Sequence, residues 1–150
     1  MIAFNETHAE HVMPYFGQEK LFQAEKTNGL DDKVYQNALA ACGKLTRDNG
    51  IDRTMSENHL HALVAPTTSA PWAIDLINGD NRLGGSSCPA AVAGYPSVTV
   101  PMGYVSGLPV GLSFIGDAWR EGALIGMAYA FEKIMQARIP PGPPTSVTSD

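Results

Sequence analysis

Gly84-Gly-Ser-Ser87 is the segment of this chain that most invites a catalytic reading. A serine at its free pKa is a weak nucleophile, so acyl attack needs a base within hydrogen-bond reach and a third group to orient that base. His59 and His61 stand two apart and share a face only in an extended segment. No Ser-x-x-Lys or Gly-x-Ser-x-Gly spacing occurs, and Cys88-Pro89 follows the two serines. Ser86 and Ser87 are therefore expected in a structural turn. The two histidines are expected to be buried beside a strand, each with one ring nitrogen satisfied.

Glu6, His8, Glu10 and His11 form a second cluster, and His8 and His11 could meet on one helical face. A metal site needs several converging ligands and outer groups that orient them. With no HExxH context, a solvated helix end and no metal are expected. Backbone N–H groups of Gly84–Ser87 could cradle an anion, but no lysine follows, so neither a phosphate site nor a cofactor is expected. Cys42 and Cys88 belong to no metal or redox spacing. They are expected to be reduced, buried and inert, in a cytoplasmic protein.

Ten Lys and Arg stand against fifteen acids, a net charge of −5 with no basic cluster, which argues against nucleic acid. No apolar run approaches the roughly 18 residues that span a bilayer. The first residues lack the basic start and apolar stretch of a signal peptide. Hydrophobic content of 44% and charged content of 17% fit a packed protein.

The elements that must position these groups divide near residue 61. Residues 1–61 hold fifteen of the twenty-five charged groups and one proline; the remainder holds ten of eleven prolines. The first part is predicted helix-rich, with 62–138 forming strands, ordered loop and a closing helix, and 139–150 a mobile tail. A helix is predicted over 32–48, capped by Asp31, stapled by Leu30 and Tyr35, and ended by Asn49-Gly50. Val34, Leu39, Cys42 and Leu45 recur on one face at its helical spacing. Less regular helices are placed at 15–26 and 55–61. The run 61–65 reads as a buried strand ended by Pro66. Residues 67–93 read as a long loop with one helical turn, a length usually tied to function or to structure supplied elsewhere.

Strands over 97–103 and 109–115 make a hairpin, with Val98, Val100, Leu112 and Phe114 at strand period. Pro101 cannot donate to a ladder, so its strand is expected to be at an edge there or locally irregular. Asp117 is expected to cap a helix to about residue 138, with Leu124, Met127, Ala128, Phe131, Ile134 and Met135 as its apolar face. Trp119 is expected to pack on the hairpin, and Trp72 is the better pocket candidate.

Ala91-Val-Ala-Gly-Tyr-Pro-Ser-Val-Thr-Val-Pro-Met-Gly103, followed by Gly107-Leu-Pro-Val-Gly-Leu112, resembles the carboxyl-terminal end of the amidase signature family. The earlier FNETHAEHVMPYFGQEKLFQAEK stretch and Asp32-Lys-Val-Tyr35 resemble the segments preceding it. Ala70-Pro-Trp72 with Asp75-Leu-Ile-Asn-Gly-Asp80 looks closest to members acting on carboxamides of peptides or similar small molecules.

The resemblance implies an α/β fold: a small mixed or antiparallel sheet with flanking helices, one incomplete domain of 150 residues that is part of a larger sandwiched sheet. It implies an amide C–N hydrolase whose Ser–cis-Ser–Lys triad lies upstream of the matched region, so that this chain contributes no catalytic residue. Trp72, Ile74, Asp75 and Ser87 would then wall a pocket for a small-molecule amide. The partner would be the upstream part of the same fold, and an open strand edge would favour self-association. A stand-alone binding or self-associating module is the alternative, and a serine hydrolase using Ser86 or Ser87 with His59 or His61 the third.

Overall fold

A computed structural model describes residues 1–140 and 142. Three short helices come first: α1 (Ile2–Thr7), α2 (Ala9–Val12) and α3 (Glu19–Glu25). Gln18, at the start of α3, ties that helix to α1, its side chain accepting from Asn5 at 3.1 Å and donating to the Ile2 carbonyl at 3.2 Å.

The next helix, α4 (Lys33–Gly43), is capped by Asp32 and not by Asp31. Asp32 Oδ1 accepts from the Val34 N–H at 2.7 Å, satisfying a backbone donor that the first turn leaves free. Asn28 and that N–H hold the Asp32 carboxyl below the usual range. Asn49-Gly50 does not end the helix. The chain continues through a π-helical segment (Lys44–Ile51) into α5 (Asp52–Glu57), with the kink at Gly50. A Cβ on Gly50 would lie 2.7 Å from the Leu45 carbonyl oxygen, so the missing side chain lets the helix turn and go on. The apolar stripe of α4 is solvent-exposed: Leu30, Val34, Tyr35, Leu39 and Leu45 find no core here.

Strand β1 (Leu63–Pro66) is followed by loop, then α6 (Ser87–Ala93), β2 (Ser97–Val105), β3 (Leu108–Ile115) and α7 (Glu121–Met135). The sheet is antiparallel in the order β1-β3-β2. The hairpin turn is tighter than predicted, two residues with positive φ at Ser106 and Gly107, as the twist of paired strands favours. Pro101 does lie on an edge strand, beside a bulge between Pro101 and Gly103.

Side chains alternate across this sheet. Val98, Val100, Leu112 and Phe114 pack under Leu124, Ala128, Met127 and Phe131 of α7. On the reverse face Ile115 and Leu63 meet Ile51, Met55, Ala90 and Ala93. Arg47 fastens this second layer, donating to the Ala93 carbonyl at 2.7 Å and lying over the Tyr95 ring. Burial, and then the hydrogen bond it donates to Asp52, raise the pKa of Tyr95.

Several expectations fail here. Asp117 does not cap α7; it accepts from Arg120 at 3.1 Å, and no side chain caps that helix. Trp119 does not pack on the hairpin: a left-handed backbone (φ +63°) turns it outward, 90% exposed. Ile134 and Met135 are exposed beyond the edge of the core, and α7 ends at Met135. Cys42 and Cys88 are free but exposed. His59 and His61 are exposed too, because β1 begins only at Leu63. Of the expected mobile tail, 139–150, Ile139 is tied to the hairpin, its N–H donating to the Tyr104 hydroxyl at 3.0 Å; residues 141 and 143–150 lie outside the described residues.

Candidate functional site

Thr67, immediately after β1, is where the long loop begins and where it returns. Its N–H donates to the Gly111 carbonyl at 2.8 Å, and its carbonyl accepts from the Ser86 N–H at 3.0 Å. Its hydroxyl lies 2.9 Å from Ser113 Oγ and 3.4 Å from Thr99 Oγ1, and Ser113 Oγ is also 2.9 Å from Thr99 Oγ1. These three hydroxyls sit on the sheet face opposite α7. Gly111 makes room for them, since a Cβ there would stand 2.8 Å from both Thr67 Oγ1 and Thr99 Cγ2. One residue further on, Thr68 Oγ1 and the Ser69 N–H both donate to the Gly84 carbonyl. The excursion between Ser69 and Gly84 is thus closed at its neck.

Within that excursion Trp72 donates its indole N–H to Asp80 Oδ1 at 3.2 Å. Asp75 folds a turn around its own carboxylate, accepting from the N–H groups of Ile77 and Asn78 at 2.9 Å and from the Asn78 amide at 2.8 Å. Those bonds, that from the Asn78 N–H foremost, hold the Asp75 carboxyl below its usual range. A carboxylate so occupied is a poor proton acceptor for chemistry, whatever its charge. Trp72, Asp75, Asn78, Asp80 and Asn81 line an open depression of about 450 Å³. Its indole face and amide and carboxylate edges suit a ligand carrying both an apolar group and N–H donors.

Of the four pocket residues expected from sequence, Trp72 and Asp75 share this depression. Ile74 is 84% exposed and Ser87 opens α6 at the surface; neither lines it. Ser86 Oγ donates weakly to the Thr67 carbonyl at 3.5 Å. Among the described residues no hydrogen bond joins Ser86 or Ser87 to a histidine or lysine. The Ser86 N–H is engaged with Thr67, which removes a donor from the proposed anion cradle. The Ser69 hydroxyl, buried at the neck, has no partner among the described residues. His8 stacks on Phe4 and bonds its carbonyl oxygen at 2.9 Å; among the described residues no group of three metal-ligating side chains converges.

Sequence reasoning overlooked Asp80 and Asn78 as partners of Trp72 and Asp75, and it missed the hydroxyl cluster. Asp75-x-x-Asn78-Gly79 carries a turn signal, an Asp that can accept from backbone ahead of a glycine with positive φ. Thr99 and Ser113 alternate with Val98, Val100, Leu112 and Phe114 along their strands, which marks them as a polar pair on the opposite sheet face.

The fold is that of a mixed α/β sheet fragment with helices on both faces. The family profile for Amidase matches residues 4–125. The chain belongs to the amidase family. A probable amidase from Arabidopsis thaliana is 38% identical over 143 residues, 94% of this chain and 24% of its own length. The peptide amidase PAM, solved with the competitive inhibitor chymostatin, superposes with a TM-score of 0.89 at 50% identity, over 94% of this chain and 29% of the enzyme. An amidase family protein from Bacillus anthracis superposes with a TM-score of 0.72 at 29% identity, over 95% of this chain and 25% of its own. The chain thus spans about a quarter of the length of the relatives it matches. Among the described residues no helix is long and apolar enough to cross a membrane.

Proposed function

We propose that this chain is the carboxyl-terminal part of an amidase, and that it shapes the acyl or side-chain end of the pocket while a lysine and two serines elsewhere in the fold break the amide bond. The supporting observation is the superposition of nearly the whole chain on under a third of a peptide amidase. Trp72, Ile74, Asp75 and Ser87 are the wall residues in this reading; Trp72 and Asp75 share the depression, and Ile74 and Ser87 are exposed on this chain. A peptide carboxamide is the substrate class, by analogy with that relative. Two free, exposed thiols suit a reducing compartment such as the cytoplasm.

The test is ammonia release from a peptide carboxamide. The chain alone should release none. Co-expressed with the Stenotrophomonas maltophilia peptide amidase cut back by the portion this chain matches, it should restore turnover. Trp72→Ala should then raise KM more than it lowers kcat. Turnover by the chain alone that vanishes with Ser87→Ala would reverse the assignment. The exposed stripe of α4 favours a second reading, a non-catalytic module that binds itself; a concentration-dependent dimer with no complementation would support it.

A further inference from the structure

A smaller concavity, of about 180 Å³, lies apart from the loop that carries Trp72. Arg47 reaches it from the π-helical segment, Gly94, Tyr95 and Pro96 from the approach to β2, and Trp119 and Glu121 from the entry to α7.

Trp119 is the residue here that the fold alone does not account for. Its left-handed backbone (φ +63°) is one that a bulky side chain adopts only at a cost. Asp117 and Arg120, bonded at 3.1 Å, close the turn that holds it there. Burial does not offset that cost, because the residue is 90% exposed. Among the described residues its ring meets no other aromatic ring. An indole held in water beside a concavity offers an apolar face to a ligand small enough to enter.

The charges of the site are also set and unused. Arg47 commits one nitrogen to the fold: Nε donates to the Ala93 carbonyl at 2.7 Å. Its guanidinium lies over the Tyr95 ring, 5.5 Å from the centroid, and the two contacts together fix its plane. The terminal nitrogens have no acceptor among the described residues, and that end of the fork matches a carboxylate with two parallel hydrogen bonds. Gly94 gives it room, since a Cβ there would stand 3.4 Å from Nη2. Glu121 lines the same concavity and pairs with no cation among the described residues. The Tyr95 hydroxyl is already engaged with Asp52, and Asp117 is neutralised by Arg120. A free cation, a free carboxylate and an indole are the three contacts that a zwitterion with an apolar substituent requires.

We propose that this concavity binds a free α-amino acid with an apolar side chain. Its carboxylate takes the terminal fork of Arg47, its ammonium pairs with Glu121, and its side chain lies against Trp119 and Pro96. An amino acid amide has no carboxylate to offer Arg47, so the site distinguishes the acid from the amide. The inference stands apart from the amidase reading, although the acid it selects is the kind of product that hydrolysis of an amino acid amide leaves.

L-leucine, titrated into the purified chain, is the probe, with the two tryptophan indole N–H signals followed by nuclear magnetic resonance. It should shift the Trp119 signal, leave that of Trp72 in place and saturate at about millimolar concentration. L-leucinamide, without the carboxylate, should bind roughly tenfold more weakly. N-acetyl-L-leucine, without the ammonium, and L-leucine on Glu121→Gln should each lose about threefold or more. Arg47→Lys keeps the charge and loses the fork, and should also weaken L-leucine. Trp119→Gly, followed by calorimetry, should remove binding without lowering the urea midpoint, since glycine takes the left-handed conformation freely. That midpoint separates a lost contact from a damaged fold. No saturable shift up to about 50 mM L-leucine, equal binding of acid and amide, or binding that survives Trp119→Gly overturns the site. A Trp119 signal that moves only when the cut-back Stenotrophomonas maltophilia enzyme is added overturns it as well, by making the indole a contact between parts of a fold.

Discussion

The hydroxyl of Thr67 meets that of Ser113 at 2.9 Å across the sheet, and this contact fixes where the pocket-bearing loop leaves the fold. Ser113 is 3% exposed and bonds Thr99 as well. Ser113→Ala removes both bonds at a buried site, while Thr67 and Thr99 remain 3.4 Å apart and can bond each other. The expected cost is about 1–2 kcal/mol by urea unfolding. A change within error would mean that the cluster does not hold the loop.

Gly111→Ala attacks the same neck from below. The added Cβ would press on Thr67 Oγ1 and Thr99 Cγ2, neither of which is the end of a long flexible side chain. The expected loss is about 1–3 kcal/mol, with faster exchange at the Ser86 amide, whose bond to Thr67 depends on the neck. Unchanged exchange there would separate Gly111 from the loop.

The turn around Asp75 should open in acid. Its carboxyl is held below the ordinary value by N–H donors that need the charged form. The stabilisation is therefore complete above about pH 3.9 and lost as pH falls through the lowered value. Exchange at the Ile77 and Asn78 amides should be slow at pH 5, as far as this open loop allows, and lose protection only as the pH falls below the ordinary carboxylate range, after correction for intrinsic rates. Asp75→Asn should remove that pH dependence; a turn that stays protected at pH 2 would show that the carboxylate is not what holds it.

The hairpin, its edge proline and the α7 core were legible because their physics is local: strand period, a missing N–H, a helical stripe. Asp117 and Trp119 were not, because a left-handed residue at Trp119 turns the chain before α7 and no pattern announces it. Asn49-Gly50 signalled an end but allowed a π turn, since the same absent Cβ serves both. Of the four wall residues that the resemblance implied, Trp72 and Asp75 share one depression and Ile74 and Ser87 do not line it, because no spacing in the sequence announces how the loop folds on itself. The stripe on α4 was legible as apolar, but its exposure was not, because a helical period marks a face for burial without saying what covers it.

Cys42 and Cys88 were expected inside and lie outside. A thiol reagent added to the native chain should therefore modify both without denaturant, at rates close to those of the unfolded protein. Protection of either thiol in a monodisperse monomer would contradict the exposed placement.

Leu124 and Leu39 occupy equivalent places in their sequences, each on the apolar stripe of a helix, yet their exposures are 1% and 58%. Leu124→Ala leaves a cavity among Val100, Phe114 and Ala128 and should cost about 2–5 kcal/mol. Leu39→Ala removes atoms already in water and should change stability by no more than about 0.5 kcal/mol in the chain alone. Paired with the rest of an amidase fold, the second substitution should acquire a cost of the first kind, read as weaker co-purification. Equal costs in the isolated chain would mean that α4 finds a core of its own, and that the exposed stripe is not a surface awaiting a partner.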